Sequence, residues 1–333
     1  MFFKSIELKK TRTVYLLTAG FHALLALAAA GTAEAAPPAK AAEARLHAAW
    51  RDAIAHAVLP GRGCFTANYP NTVWTQVACT EAPNRPYEPA RHPQVGFGND
   101  FAADVSSPIT GAVGSFPSIT GLKSEKSAGV SNQYSLQLNT PYFNSSACNS
   151  SPYPPSCEAW QQYIFAQNGG KDGTSSAFIV YWLINYAAYC PTGWNQEALN
   201  CWSASAAVSV PRQKLSALAG LQLSGAAAKG GNDTVTLTTP TKAYAQSESD
   251  AVLNLAGTWK GTEFNVLGDG AGSQANFNKG TNITVNISLT DGATTAPNCR
   301  TNQIFTYETN NLNLGTCQTQ SGQNPSVTFS ESD

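Results

Sequence analysis

Histidine is almost missing from this chain, with four in 333 residues. One, His22, sits in an apolar N-terminal run, and the others are His47, His56 and His92. No histidine follows His92, so the later sequence cannot hold a Ser-His-Asp arrangement and argues against His-built metal sites. His47 and His56 fall on or beside an expected helix and read as solvated side chains. Charge is scarce too, at 12% of residues with a net charge of −1. There is no basic footprint for nucleic acid and no acidic tail. No apolar run after the N-terminal one is long enough for a bilayer. No P-loop, glycine-rich dinucleotide signature or zinc-protease motif appears, and no cofactor is expected.

What is present begins with an export signal over residues 1–35. Lys4, Lys9, Lys10 and Arg12 precede an apolar run from Val14 to Ala30, and Ala33-Glu34-Ala35 offers small residues for cleavage. A membrane anchor is the alternative, but the run is short and broken by Gly20 and His22. A secreted protein, extracellular or periplasmic, is expected. The eight cysteines then read as disulfides. They fall into four sequence-local couples: Cys64 with Cys79, Cys148 with Cys157, Cys190 with Cys201, and Cys299 with Cys317. A zinc site is the alternative, but there is no C-x-x-C and only His92 follows Cys64.

Residues 36–130 read as an N-terminal helix followed by an irregular lead-in, or as a pro-segment. Leu46, Trp50, Ile54 and Val58 make one apolar stripe that Pro60 ends. Residues 61–130 are rich in Gly, Pro and Ser, with one strand-like stretch around Thr72–Val77. From 131 to 333 short strands dominate. They include Tyr134–Asn139, Trp160–Phe165, Ala177–Tyr186, Asp233–Thr238, Glu263–Val266, Asn282–Ser288 and Ser326–Phe329, with Gly, Asn and Asp between them. This predicts an all-β fold, an antiparallel β-sandwich or jelly roll, preceded by a short helix.

Carboxylates are few in that region. Asp172, Asp233, Asp269 and Asp291 sit beside Gly or Asn and read as turn residues. Glu263 differs, because it opens a strand-like stretch whose alternation puts Glu263, Asn265 and Leu267 on one face. Partial desolvation there raises a carboxyl pKa; the plainer reading is an exposed strand-edge charge. In Trp160–Phe165, one face carries Gln161, Tyr163 and Phe165 and the other Trp160, Gln162 and Ile164. The Gln161 face is the more groove-like, since aromatic walls with a few polar groups suit an extended polymer.

In three features the chain resembles the eqolisins, glutamic peptidases with a concanavalin-A-like β-sandwich. An alternating strand, Tyr134–Asn139, precedes a cysteine loop. A Gln-bearing strand, Trp160–Phe165, runs into an aromatic strand, Phe178–Tyr186. A Glu-bearing strand at Glu263 is followed by Ala275-Asn276-Phe277. The resemblance covers about residues 130–290. It implies catalysis by a glutamate and a glutamine on neighbouring strands, here Glu263 and Gln161, with Tyr163, Tyr181 and Trp182 as substrate-binding walls and a polypeptide as substrate. Three departures stand out. Tyr163 replaces a small residue, so the register can shift to Gln162. Phe264 replaces an acidic residue, and Leu183 and Ile184 stand where the family has a glutamate.

Two other functions fit the same sequence. Seven tryptophans and twelve tyrosines offer rings for a glycan, although a glycosidase needs two facing carboxylates and only Glu263 is placed for it. A structural or adhesive exported protein, with Glu263 a surface charge, is the other.

Overall fold

The computed structural model describes residues 39–89, 101–167, 174–301 and 306–333. The expected signal and His92 lie outside them. Lys40–Asp333 form one compact unit, and within it the all-β expectation holds: two nine-stranded sheets face each other, with a small four-stranded sheet beside them. The first sheet runs, in spatial order, Thr75–Val77, Gly63–Asn68, Lys242–Ser249, Asn232–Thr238, Gln222–Ala227, Gly111–Thr120, Asn282–Thr290, Ser326–Ser332 and Asn313–Gln320. The second runs Asn195–Glu197, Asn200–Ala204, Ser175–Ile184, Glu158–Ala166, Ser135–Asn139, Gly261–Leu267, Ala102–Asp104 and Asn298–Arg300, with Val208–Val210 also paired to Ser175–Ile184. Among the described strands pairing is antiparallel except where Gln274–Phe277 meets Thr309–Asn310 in the small sheet. Ala275-Asn276-Phe277 is part of that strand.

The helix spans Ala39–Ala55 and stops short of Pro60. Half of the expected stripe docks: Trp50 and Ile54 bury against Ala67 and Ala243, whereas Leu46 and Val58 are exposed. Polar contacts supplement that small apolar footprint. The Trp50 indole donates to the Asn71 carbonyl at 2.8 Å and the Arg51 guanidinium to the Gly220 carbonyl at 2.9 Å. His47 stacks on Tyr69 with centroids 4.0 Å apart and bonds the Pro240 carbonyl.

Where an irregular lead-in is expected, the described part of 61–130 carries the strands Gly63–Asn68, Thr75–Val77, Ala102–Asp104, Gly111–Thr120 and Glu125–Ser127. Gly111–Thr120 sits inside the first sheet, hydrogen-bonded on both sides to Gln222–Ala227 and Asn282–Thr290. Its composition hides it, because Gly114 stands where an inward side chain is expected, as Gly225 does on the neighbouring strand. A Cβ on Gly114 would lie 2.0 Å from the Phe264 ring, and one on Gly225 would lie 2.5 Å from the Tyr163 ring. Rings from the second sheet therefore supply the volume that the first sheet omits.

The cysteine couples pair as expected: Cys64–Cys79, Cys148–Cys157, Cys190–Cys201 and Cys299–Cys317. Their Cα separations of 5.3–6.3 Å are those of ordinary bridges.

Because Phe264 fills the space above Gly114, Gly114→Ala is an overpacking change and is expected to destabilise by about 1–3 kcal/mol in denaturant unfolding. Gly61→Ala, which meets open space, should leave the midpoint nearly unchanged. Equal midpoints would show that the two sheets do not interlock there.

Candidate active site

Strand pairing decides which side chains share a face. Glu263 is directly opposite Asn139, and Asn139 is directly opposite Gln162. Cross-strand partners point the same way, so Glu263, Asn139 and Gln162 form one row across the second sheet. Phe264 packs toward Phe116 of the first sheet, with ring centroids 5.2 Å apart, so the row faces outward, away from the inter-sheet core. All three residues are nonetheless buried. Trp160, Ile164, Phe178, Val180 and Trp182 share this outer face with a covering layer that includes Tyr87, Tyr142 and Ala82.

Gln161 belongs to the other face. Its amide nitrogen donates across to the Asp233 carboxylate of the first sheet at 2.8 Å, and to the Tyr163 hydroxyl at 3.0 Å. The expected Glu263–Gln161 pair is therefore not brought together. The face that reads as a groove, with Gln161, Tyr163 and Phe165, is the inside of the sandwich. Tyr163 donates to the Ala226 carbonyl there, and Tyr181, opposite Gln161, shares that interior. Of the expected wall residues only Trp182 lies on the row's face. Gln162 is the glutamine on the Glu263 face, but its strand does not adjoin that of Glu263. The strand Ser135–Asn139 runs between them, and Asn139 fills the middle of the row.

Hydrogen bonds fix the polarity of this face between two groups that leave no choice. At one end the Ser135 hydroxyl donates to the Gly268 carbonyl at 2.6 Å, so its oxygen is left to accept. The Gln137 amide nitrogen donates to that oxygen at 2.9 Å and to the Glu308 carboxylate at 3.3 Å. The Gln137 carbonyl oxygen therefore faces the row, accepting from Asn139 and from Gln162 at 3.2 Å each. At the other end the Trp182 indole, a donor only, bonds the Gln162 carbonyl oxygen at 3.1 Å. Both ends agree that Gln162 turns its NH₂ toward Gln137. Asn139 sends its other N–H to the Glu263 carboxyl at 2.7 Å.

Glu308 closes the network. Besides Gln137 it accepts from the Thr306 hydroxyl and from the Gly272 and Glu88 backbone amides. Burial raises its pKa to about 7, against the lowering effect of those donors. Tyr142 flanks Glu263 from the loop after Asn139. Its hydroxyl pKa is raised by burial first and then by the Glu263 charge, and its ring meets Trp160 edge-on at 5.9 Å.

Two aspartates expected in turns have other roles. Asp233 is buried at the sheet interface with its pKa raised to about 8, mainly by desolvation, with the Gln161 donor opposing and Asp250 adding to the rise. Asp269 is buried and accepts from the Tyr87 hydroxyl at 2.7 Å and from Gln133 at 3.1 Å, with Arg85 at 3.2 Å. Asp172 lies outside the described residues.

Sequence reasoning missed Asn139, Gln137, Tyr142 and Glu308. A signal for the first two existed, since Ser135, Gln137 and Asn139 alternate with Leu136 and Leu138 and so line one face. No group of three or more His, Cys, Asp and Glu able to hold a metal occurs among the described residues. A groove of about 710 Å³ on the far side of the first sheet is lined by Ser224, Thr234, Thr236 and Ser247 and contains no carboxyl group. Among the described residues no tryptophan ring is openly exposed, and the large exposed rings are Tyr153 and Tyr189.

No family model and no curated protein sequence matches the chain. Among solved structures it is similar to scytalido-glutamic peptidase with a peptide-based transition state analog, at 14% identity and a TM-score of 0.34 over 73% of this chain and 98% of that one. It is also similar to SCP-B, a member of the eqolisin family of peptidases in a complex with the tripeptide Ala-Ile-His. There the identity is 12% and the TM-score 0.32, over 72% of this chain and 98% of that one.

The buried carboxyls make a stability prediction. Glu125, pushed up to about 8 chiefly by burial, joins Asp233 and Glu308. A carboxyl with a raised folded-state pKa binds protons that the unfolded chain releases. Its stabilisation is full below an unfolded pKa of about 4 and is lost as pH rises toward 7–8. The melting temperature is therefore expected to be higher at pH 4 than at pH 8. A melting temperature that is flat or rises between those pH values would overturn this assignment of proton positions.

Proposed function

We propose that the protein is a secreted, acid-acting endopeptidase of glutamic type that cleaves extended peptides, with Glu263 and Gln162 as its working pair. The observation that supports this reading is the row itself. A carboxyl and a carboxamide share one face, and the carboxamide's NH₂ is fixed in direction by Trp182 and Gln137. The sequence resemblance supplies the substrate class. Four disulfides suit an oxidising compartment, and no helix among the described residues is long and apolar enough to cross a membrane. The row is closed from solvent, so a peptide reaches it only when the covering chain moves aside.

In the reaction, Glu263 as carboxylate removes a proton from water while the water oxygen bonds the scissile carbonyl carbon. The carbonyl electron pair moves to its oxygen, and this oxyanion accepts the remaining Gln162 N–H, a donor worth about 3–4 kcal/mol in comparable sites. Protonated Glu263 then gives its proton to the amide nitrogen, the C–N bond breaks, and an acid and an amine leave. No histidine takes part, so activity follows the ionisation of a carboxyl.

Denatured casein should be cleaved in the range pH 2–6, without inhibition by pepstatin, and Glu263→Gln should abolish the cleavage. Gln162→Ala should lower kcat by about 10²–10³-fold. Gln161→Ala, if folded, should keep its chemistry, because that amide works inside the sandwich. Absence of cleavage by correctly processed wild type across this range would remove the peptidase reading.

A further inference from the structure

Asn139 stands between the two groups just assigned, and nothing in the mechanism so far uses it. Both of its N–H bonds are committed, one to Glu263 and one to the Gln137 carbonyl oxygen. Glu263 as a carboxylate can only accept, and Gln137 is held with its oxygen toward Asn139 by Ser135 and Glu308. The Asn139 amide therefore cannot be turned round. Its carbonyl oxygen is fully buried and has no hydrogen-bond partner among the described residues. A buried acceptor left unmade is costly, so a site with this polarity calls for a donor at that position, beside a carboxylate that also accepts.

We propose that Asn139 is a third catalytic residue: its carbonyl oxygen accepts the second hydrogen of the attacking water while Glu263 accepts the first. This rests on the peptidase reading above and adds the group that aims the nucleophile. Two acceptors in fixed positions orient both hydrogens of one water, which turns its lone-pair side toward the substrate. The oxygen attacks, one hydrogen passes to Glu263, and the other stays on the new hydroxyl, held by Asn139. Gln137 is then a positioning residue, since it keeps Asn139 in the orientation that exposes the carbonyl oxygen.

The test uses the full processed chain and an internally quenched peptide that the wild type cleaves. Asn139→Ala should lower kcat by about 10²-fold, the scale of a misaimed reactant, with KM within about threefold. Asn139→Asp keeps an acceptor oxygen in the same place but sets a second carboxyl beside Glu263. It should retain more activity than Asn139→Ala and displace the pH optimum by about a unit, as two interacting carboxyls separate their apparent pKa values. Packing alone would not move that profile. An Asn139→Ala enzyme with kcat within twofold of wild type, or a change confined to KM, overturns the role of Asn139 and leaves the peptidase reading standing. If Asn139→Ala does not fold, the near-isosteric Asn139→Asp decides, and an unshifted pH optimum overturns the proposal. A wild type inactive throughout pH 2–6 overturns both.

Discussion

Two strands, Glu158–Ala166 and Ser175–Ile184, are covered on both faces, and this burial governs where every polar group near them must go. A buried amide or carboxyl needs partners, and on these strands water is not at hand to supply them. The inner face meets the need by reaching across the sandwich, where Gln161 binds Asp233 of the opposite sheet. The outer face meets it laterally, through Ser135, Gln137, Asn139 and Gln162. Adjacent glutamines in one strand thus serve different purposes, one fastening the two layers and the other contributing to a polar row.

The same burial explains what could and could not be read from the residues. Many strands after residue 131, the all-β class and the cysteine couples were legible, because alternation and local spacing are properties of short segments, whereas Gly111–Thr120 was not. The inside and the outside of the second sheet were not. Trp160–Phe165 is apolar or aromatic on both faces, so the pattern carries no sign that says which side meets the other layer. That sign lies elsewhere, in Gly225 and Gly114, whose missing side chains make room for Tyr163 and Phe264. Only the partner strand distinguishes Gln161 from Gln162.

Asp233 and Asp269 show a further limit. Beside Gly or Asn, each looked like a turn residue, yet both are buried acceptors with raised pKa values. The covering segment around Arg85 and Tyr87 reaches Asp269 across a separation of more than 180 residues, and no local pattern reports such a contact. Glu308 was unreadable for the same reason, since its partners Glu88, Gln137 and Gly272 come from three distant parts of the chain. Taken together, the site is assembled by topology from residues that are individually ordinary.

The eight cysteines are bonded as four consecutive couples along the chain, and the widest of the four intervals is 18 residues. Were the chain threaded from its N-terminus into an oxidising compartment, as the proposed secretion implies, each thiol would meet its mate before any later thiol arrived. Correct connectivity would then be a matter of order of arrival, and a thiol exchanger would have little to repair.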